Sequence, residues 1–69
     1  MESRNPNNEL LLAAKNGSMY DLVNALEAKG DVNNTVLTIG NNKSKMSAPI
    51  LLALKNGHTE IVIKLLQSN

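Results

Sequence analysis

Leu11-Leu12-Ala13-Ala14-Lys15-Asn16-Gly17 returns 40 positions later as Leu51-Leu52-Ala53-Leu54-Lys55-Asn56-Gly57. The match continues in register on both sides: Leu10 pairs with Ile50, Leu22 with Val62, Val23 with Ile63, Ala25 with Leu65 and Leu26 with Leu66. Internal repetition at this period is the signature of stacked supersecondary units, each of which hides its apolar flank against a neighbour. Chains of this kind generally bind other macromolecules through a surface.

Each copy has the punctuation of two short helices. Asn8 can serve as an N-cap for a helix from about Glu9 to Asn16, which Gly17 ends in a left-handed conformation. Leu10, Leu11, Ala13 and Ala14 leave that helix little polar surface, as expected where packing occurs on several sides. Ser18 then caps a second helix over about Met19 to Lys29, with Asp21 three residues on and Gly30 as the stop. The second copy places Pro49 at the first position of a helix reaching Asn56, with Gly57 as the break. A fourth helix covers about Thr59 to Gln67, with Ile61, Val62, Leu65 and Leu66 as its apolar face. Helices of this length do not persist alone in water and must pack on one another. Residues 1–7 are polar and Asn-rich and read as a frayed tail.

Between the copies, Thr35-Val36-Leu37-Thr38-Ile39 is β-branched, Gly40-Asn41-Asn42 is a turn signal, and Lys43-Ser44-Lys45-Met46-Ser47 can return as a strand. A β-hairpin projecting from the helices is expected. Leu37, Ile39 and Met46 leave two arrangements open. Either the finger stands free and presents an apolar face to a partner, or it folds back over the helices.

Ala48-Pro49-Ile50-Leu51-Leu52-Ala53 resembles the Thr-Pro-Leu-His-x-Ala opening of ankyrin repeats, and Asn56-Gly57-His58-Thr59-Glu60-Ile61-Val62 with Leu65-Leu66 resembles their Gly-His-x-Glu-Ile-Val and Leu-Leu stretch. In the first half, Leu26-Glu27-Ala28-Lys29-Gly30-Asp31-Val32-Asn33 resembles the family's Leu-Glu-x-Gly-Ala-Asp-Val-Asn. The resemblance implies an all-α fold of two stacked helix-turn-helix ankyrin-type repeats. The first (8–30) is similar to an N-terminal capping repeat, the second occupies 49–69, and an extended hairpin (31–48) lies between them. The family period is about 33 residues, so the longer spacing here implies a lengthened hairpin. Ala48 and Leu51 replace the family's Thr and His, whose hydrogen bonds tie loop to helix. Loss of such a cap costs about 1 kcal/mol, and a looser second repeat is expected.

Composition narrows the function. The chain has 69 residues, a net charge of +1, no cysteine, one histidine and one aromatic residue, Tyr20. That is one small domain without disulfide or thiolate metal site, and with neither the basic stripe nor the aromatic platform that nucleic acid requires. No apolar run approaches a membrane span and no signal region opens the chain. A soluble protein of the reducing cytoplasm is expected, without cofactor, metal, nucleic-acid or membrane partner. His58 alone cannot form a catalytic or metal constellation. Its resemblance-derived role is structural, at the turn between paired helices. The six carboxylates show no spacing suited to acid–base work. The chain reads as a non-enzyme.

The resemblance places partner binding on the concave surface made by hairpin tips and first helices. Mapped here, the candidate residues are Asn34, Leu37, Asn41, Asn42, Lys43, Lys45, Met46, Leu52, Lys55 and Asn56, joined by Leu12, Lys15 and Asn16 from the first copy. For Lys43 and Lys45 the first reading is of solvated residues that discourage edge-to-edge pairing, since two lysines give little electrostatic focus; the second is a basic tip for an acidic partner. The expected function is a non-catalytic protein–protein interaction module. The alternative is a structural role, as a homo-oligomer or the N-terminal capping part of a longer ankyrin-repeat protein, with Leu54 and Ile63 meeting the next unit. Stability of such stacks usually needs three or more repeats.

Overall fold

Asn5-Pro6, rather than Asn8-Glu9, starts the first helix. In the computed structural model, which describes residues 5–68, Asn5 has extended backbone and its side chain accepts from the N–H groups of Asn7 (3.0 Å) and Asn8 (3.3 Å). Pro6 sits at the first helical position, where its fixed φ is already helical and its missing N–H costs nothing. Helix α1 is therefore Pro6–Asn16, and residues 5–7 of the expected frayed tail belong to its cap and first turn; the other four, residues 1–4, lie outside the described residues. The elements that follow are α2 (Met19–Glu27), strands β1 (Val36–Ile39) and β2 (Asn42–Lys45), α3 (Pro49–Lys55) and α4 (Thr59–Gln67). The protein is helix-rich with one antiparallel two-stranded hairpin, not purely all-α.

Three helices end in the same wrap. The N–H groups of Ser18, Gly30 and His58 reach back five residues to the carbonyls of Ala13, Ala25 and Ala53, at 3.0, 2.9 and 2.8 Å. The residue before each donor is left-handed: Gly17 (φ 79°), Lys29 (φ 69°) and Gly57 (φ 75°). This is the six-to-one bond of a Schellman turn. Gly30 therefore does not end α2 by adopting a left-handed conformation; Lys29 carries that strain. Gly30 is needed for a different reason. A Cβ there would lie 2.9 Å from the Pro6 carbonyl oxygen and 3.0 Å from that of Ala25, so the loop after α2 passes directly over the start of α1.

The core is aliphatic. Leu10, Leu11, Ala13 and Ala14 of α1, Leu22 and Ala25 of α2, Leu52 and Ala53 of α3, and Ile61 and Leu65 of α4 are buried together. Helix α1 is central: it packs against α2, α3 and β1, while α3 packs on α4 and α2 touches α4. The two helix pairs thus lie side by side. Alanines at four of the ten core positions let the backbones approach closely. Tyr20 is exposed, so the core contains no ring. Leu66, expected on the buried face of α4, is 58 % exposed; Ile61 and Leu65 make the contact instead.

The hairpin turns on Gly40-Asn41, with Ile39 opposite Asn42 and Val36 opposite Lys45. Gly40 has φ 61° and Asn41 is not left-handed, the arrangement that puts glycine first in a two-residue loop. The arm is held down at its base. Leu37 and Met46 pack on the core, and β1 lies along α1. Asn8, free of capping duty, uses its side-chain amide to accept from the Thr38 N–H (2.9 Å) and to donate to the Thr38 carbonyl. Thr38 faces Lys43 in the ladder at a pair whose own backbone groups point outward, so Asn8 satisfies the free edge of β1 as a neighbouring strand would. Of the two arrangements left open, the hairpin takes the second: its base folds back on α1, and Ile39 near its tip is exposed.

Candidate binding surfaces

The ten sequence-designated positions separate into three groups. Leu52 is a core residue at 8 % exposure and is unavailable to a partner. Leu37 and Met46 are partly buried against the core, because the alternation that points Leu37 inward also brings the strand onto α1. Asn34 acts within the chain: its side chain donates to the Val36 carbonyl (2.9 Å) and the Asn7 carbonyl (3.4 Å) and accepts from the Val36 N–H (3.3 Å), which sets the entry into β1. Asn56 lies at the exposed end of α3 and donates to the Leu52 carbonyl (2.8 Å), closing its own helix.

The remaining five form an exposed surface. Asn41 occupies the turn, and Asn42 to Lys45 are exposed along all of β2. Directly opposed residues of an antiparallel pair share a face, so Lys45 with Val36 and Lys43 with Thr38 lie on the face opposite Leu37. Lys55, exposed on α3, donates from Nζ to the Ser47 hydroxyl (3.3 Å), which brings its ammonium to the foot of β2. Lys43 and Lys45 therefore share one face of the hairpin, Asn42, paired with Ile39, lies on the other, and the Lys55 ammonium meets the foot of β2. Strand β2 is paired to β1, which Asn8 of α1 holds at Thr38, so this is a mounted surface.

The one histidine joins the two helix pairs. Its Nε2 lies 3.1 Å from the Lys15 carbonyl at the end of α1. A carbonyl only accepts, so Nε2 carries the hydrogen. The ring occupies the space above Gly17: a Cβ at that position would sit 2.6 Å from both Cε1 and Nδ1 of His58. Although His58 is at the N-cap of α4, its side chain makes no capping bond there. A cavity of about 310 Å³ adjoins it, lined by Gly17, Met19, Gly57, His58, Thr59, Glu60 and Ile61. Nothing in that lining pairs the imidazole with a nucleophile. Among the described residues no group of three His, Cys, Asp or Glu side chains is placed to hold a metal ion.

Positions related by the 40-residue offset differ in exposure, and the differences map the ends of the assembly. Leu11 is fully buried whereas Leu51 is 48 % exposed; Ala14 is fully buried whereas Leu54 is 58 % exposed. Leu26 packs on the core whereas Leu66 does not, and Ile63 is about half exposed. At the other end the contrast reverses: Asp21 is exposed where Ile61 is buried, and Leu12 is more exposed than Leu52. One end of the molecule is thus lined by Leu51, Leu54, Ile63 and Leu66. The other carries Glu9, Asn16 and Asp21 around Leu12, which with Ala13 line a cavity of about 280 Å³.

Sequence reasoning placed Leu54 and Ile63 on an open end but missed Leu51 and Leu66. The offset pairing was the signal that identifies them, once the helix pairs are placed side by side. The roles of Asn7, Asn8 and Gly30 had no such signal, since they depend on long-range contacts: Asn7 Oδ1 accepts from the Asp31 N–H at 2.7 Å, across 24 residues. Compared with known proteins, the chain matches no family model, no curated protein and no solved structure. Among the described residues no helix is long and apolar enough to cross a membrane.

Proposed function

We propose that the chain is a non-catalytic protein-binding module built from two ankyrin-type helix-turn-helix repeats, with β2 and the adjoining side of α3 as its recognition surface. The observation that supports this most is the exposure of Asn41 in the turn and of Asn42, Lys43 and Lys45 on β2, whose partner strand β1 is bonded to α1, with Lys55 held beside the foot of β2 by Ser47. Two ammonium groups on one face of β2, a third at its foot and the two amides at the turn favour a partner segment rich in carboxylates and backbone acceptors. A strand with four exposed residues also offers its outer edge to an extended peptide. The chain's lack of cysteine fits the reducing cytoplasm. Neither catalysis nor a cofactor has a place in this reading.

The test is retention of a partner from native extract on the immobilised chain, against the variant Asn41→Ala/Lys43→Glu/Lys45→Glu. These positions are exposed, so circular dichroism and Tm should match the unchanged chain. A polypeptide retained by the first and lost by the second supports the reading; equal retention by both rejects this surface.

The second reading, a structural element of a larger stack, is favoured by a different observation: the end lined by Leu51, Leu54, Ile63 and Leu66 is apolar where the opposite end carries Glu9 and Asp21. An apolar end requires a neighbour, whereas a charged end is what terminates a stack in water.

A further inference from the structure

We infer that the outer edge of β2 accepts one extended segment of a partner polypeptide as an antiparallel third strand, and that this segment carries carboxylates at alternate positions. The inference rests on the recognition surface proposed above and names the mode and chemistry of its occupant. It starts from an asymmetry between the two edges of the hairpin. In an antiparallel ladder the residues of every second pair turn their backbone N–H and C=O groups away from each other. Thr35 and Met46 are bonded across the hairpin, the Met46 N–H donating to the Thr35 carbonyl at 2.6 Å. The outward pairs are therefore Val36 with Lys45 and Thr38 with Lys43.

On β1 both outward residues are already engaged, each by one asparagine carboxamide. Asn34 accepts from the Val36 N–H at 3.3 Å and donates to the Val36 carbonyl at 2.9 Å. Asn8 accepts from the Thr38 N–H at 2.9 Å and donates to the Thr38 carbonyl. A further strand could pair there only by displacing both side chains. On β2 the corresponding N–H and C=O groups of Lys43 and Lys45 meet no donor or acceptor among the described residues, and the whole strand is exposed. The hairpin thus has one closed edge and one open edge. The open edge offers two donors and two acceptors at strand spacing.

The side chains decide what can use it. Residues directly opposite in a ladder share a face. A strand bonded to Lys43 and Lys45 therefore sets two of its own side chains, two positions apart, beside the two ammonium groups. Carboxylates are favoured there, and Lys55 at the foot of β2 extends the same preference. A second copy fits badly for the same reason. Antiparallel pairing of two copies along this edge brings lysine opposite lysine, and like charges directly opposed are destabilising. The two lysines repel a like edge and select an acidic one.

The probe is the blocked peptide Thr-Thr-Glu-Val-Glu-Thr-Thr, titrated at low ionic strength into the isotope-labelled full chain. At saturation, hydrogen exchange at the Lys43 and Lys45 amides should slow about tenfold, the effect of one added hydrogen bond. The change should be smaller at Asn42 and Ser44, whose amides are already bonded within the hairpin. The same peptide N-methylated at both glutamates keeps its charge and loses its donors, and should bind at least about tenfold more weakly. Lys43→Glu/Lys45→Glu should abolish binding of the acidic peptide and confer binding of Thr-Thr-Lys-Val-Lys-Thr-Thr. Equal binding of the methylated peptide, or exchange at Lys43 and Lys45 that does not slow, overturns strand addition and leaves the proposed recognition surface standing. Absence of binding by the acidic peptide overturns the inference as well, the lysines then serving only to keep the edge solvated. So does an unliganded chain that dimerises with its Lys43 and Lys45 amides protected, since the occupant is then a second copy. Retention of a partner from extract is read separately, so the wider partner-binding proposal stands or falls on its own test.

Discussion

Gly17→Ala tests how the two helix pairs are joined. Two costs add at this position. A left-handed alanine is strained by about 1–2 kcal/mol, and the new Cβ would lie 2.6 Å from two atoms of the His58 ring. The ring cannot stay. Its displacement breaks the bond from Nε2 to the Lys15 carbonyl, worth about 0.5–1.5 kcal/mol, and disturbs the turn that opens α4. The single substitution should therefore cost about 2–3 kcal/mol, a large part of the stability of so small a domain. His58→Ala alone should cost about 1 kcal/mol, for the lost bond and ring contacts. In the double variant the methyl has room and only the backbone strain and the lost bond remain. Urea denaturation of the four proteins should yield a double variant no less stable than Gly17→Ala, with a coupling of about 1 kcal/mol. Strict additivity of the two single effects would mean that His58 does not occupy the space above Gly17, and the side-by-side arrangement would have to be redrawn.

Further outcomes follow from other contacts. Asn8→Ala removes both side-chain bonds to Thr38 and should destabilise by about 1–3 kcal/mol, while amide exchange speeds up first in Val36–Lys45. Leu65→Ala should cost about 2–5 kcal/mol and Leu66→Ala within about 0.5 kcal/mol, because Leu65 is buried and Leu66 is not; thermal melts of the pair check this. Lys29→Gly relieves the one left-handed non-glycine residue among the described residues and should raise stability by about 0.5–1 kcal/mol, whereas Gly30→Ala should lower it by closing on the Pro6 carbonyl.

The parts of the fold legible in the sequence were those written locally. Ser18 accepts from the Asp21 N–H at 3.3 Å as its spacing predicts, Gly17 and Gly57 end their helices, Pro49 begins α3, and Thr59–Gln67 has the expected bounds. What the sequence hid depends on partners distant along the chain. Asn5 and Asn8 are both competent caps; the choice falls to Asn5 because Pro6 follows it and because Thr38 engages Asn8. Gly30 looks like a helix stop, yet its necessity comes from the Pro6 carbonyl passing overhead. Leu52 and Lys55 both fall on the first helix of the second copy, and only the rotation of α3 against α1 decides that one is core and the other surface. The binding candidates were legible as residue types. Their usable subset, Asn41, Asn42, Lys43, Lys45 and Lys55, required the register of the hairpin.

The central claim is that two like helix pairs stand side by side, joined where the turn of the second meets the end of the first helix. The most direct measurement is a proton NOE spectrum of the 69-residue chain, read between the Cε1 proton of His58 and the Gly17 α protons. A strong cross-peak is predicted, from residues 41 positions apart in sequence. A well-folded spectrum in which the His58 ring shows no contact with Gly17 or Lys15 would contradict the account.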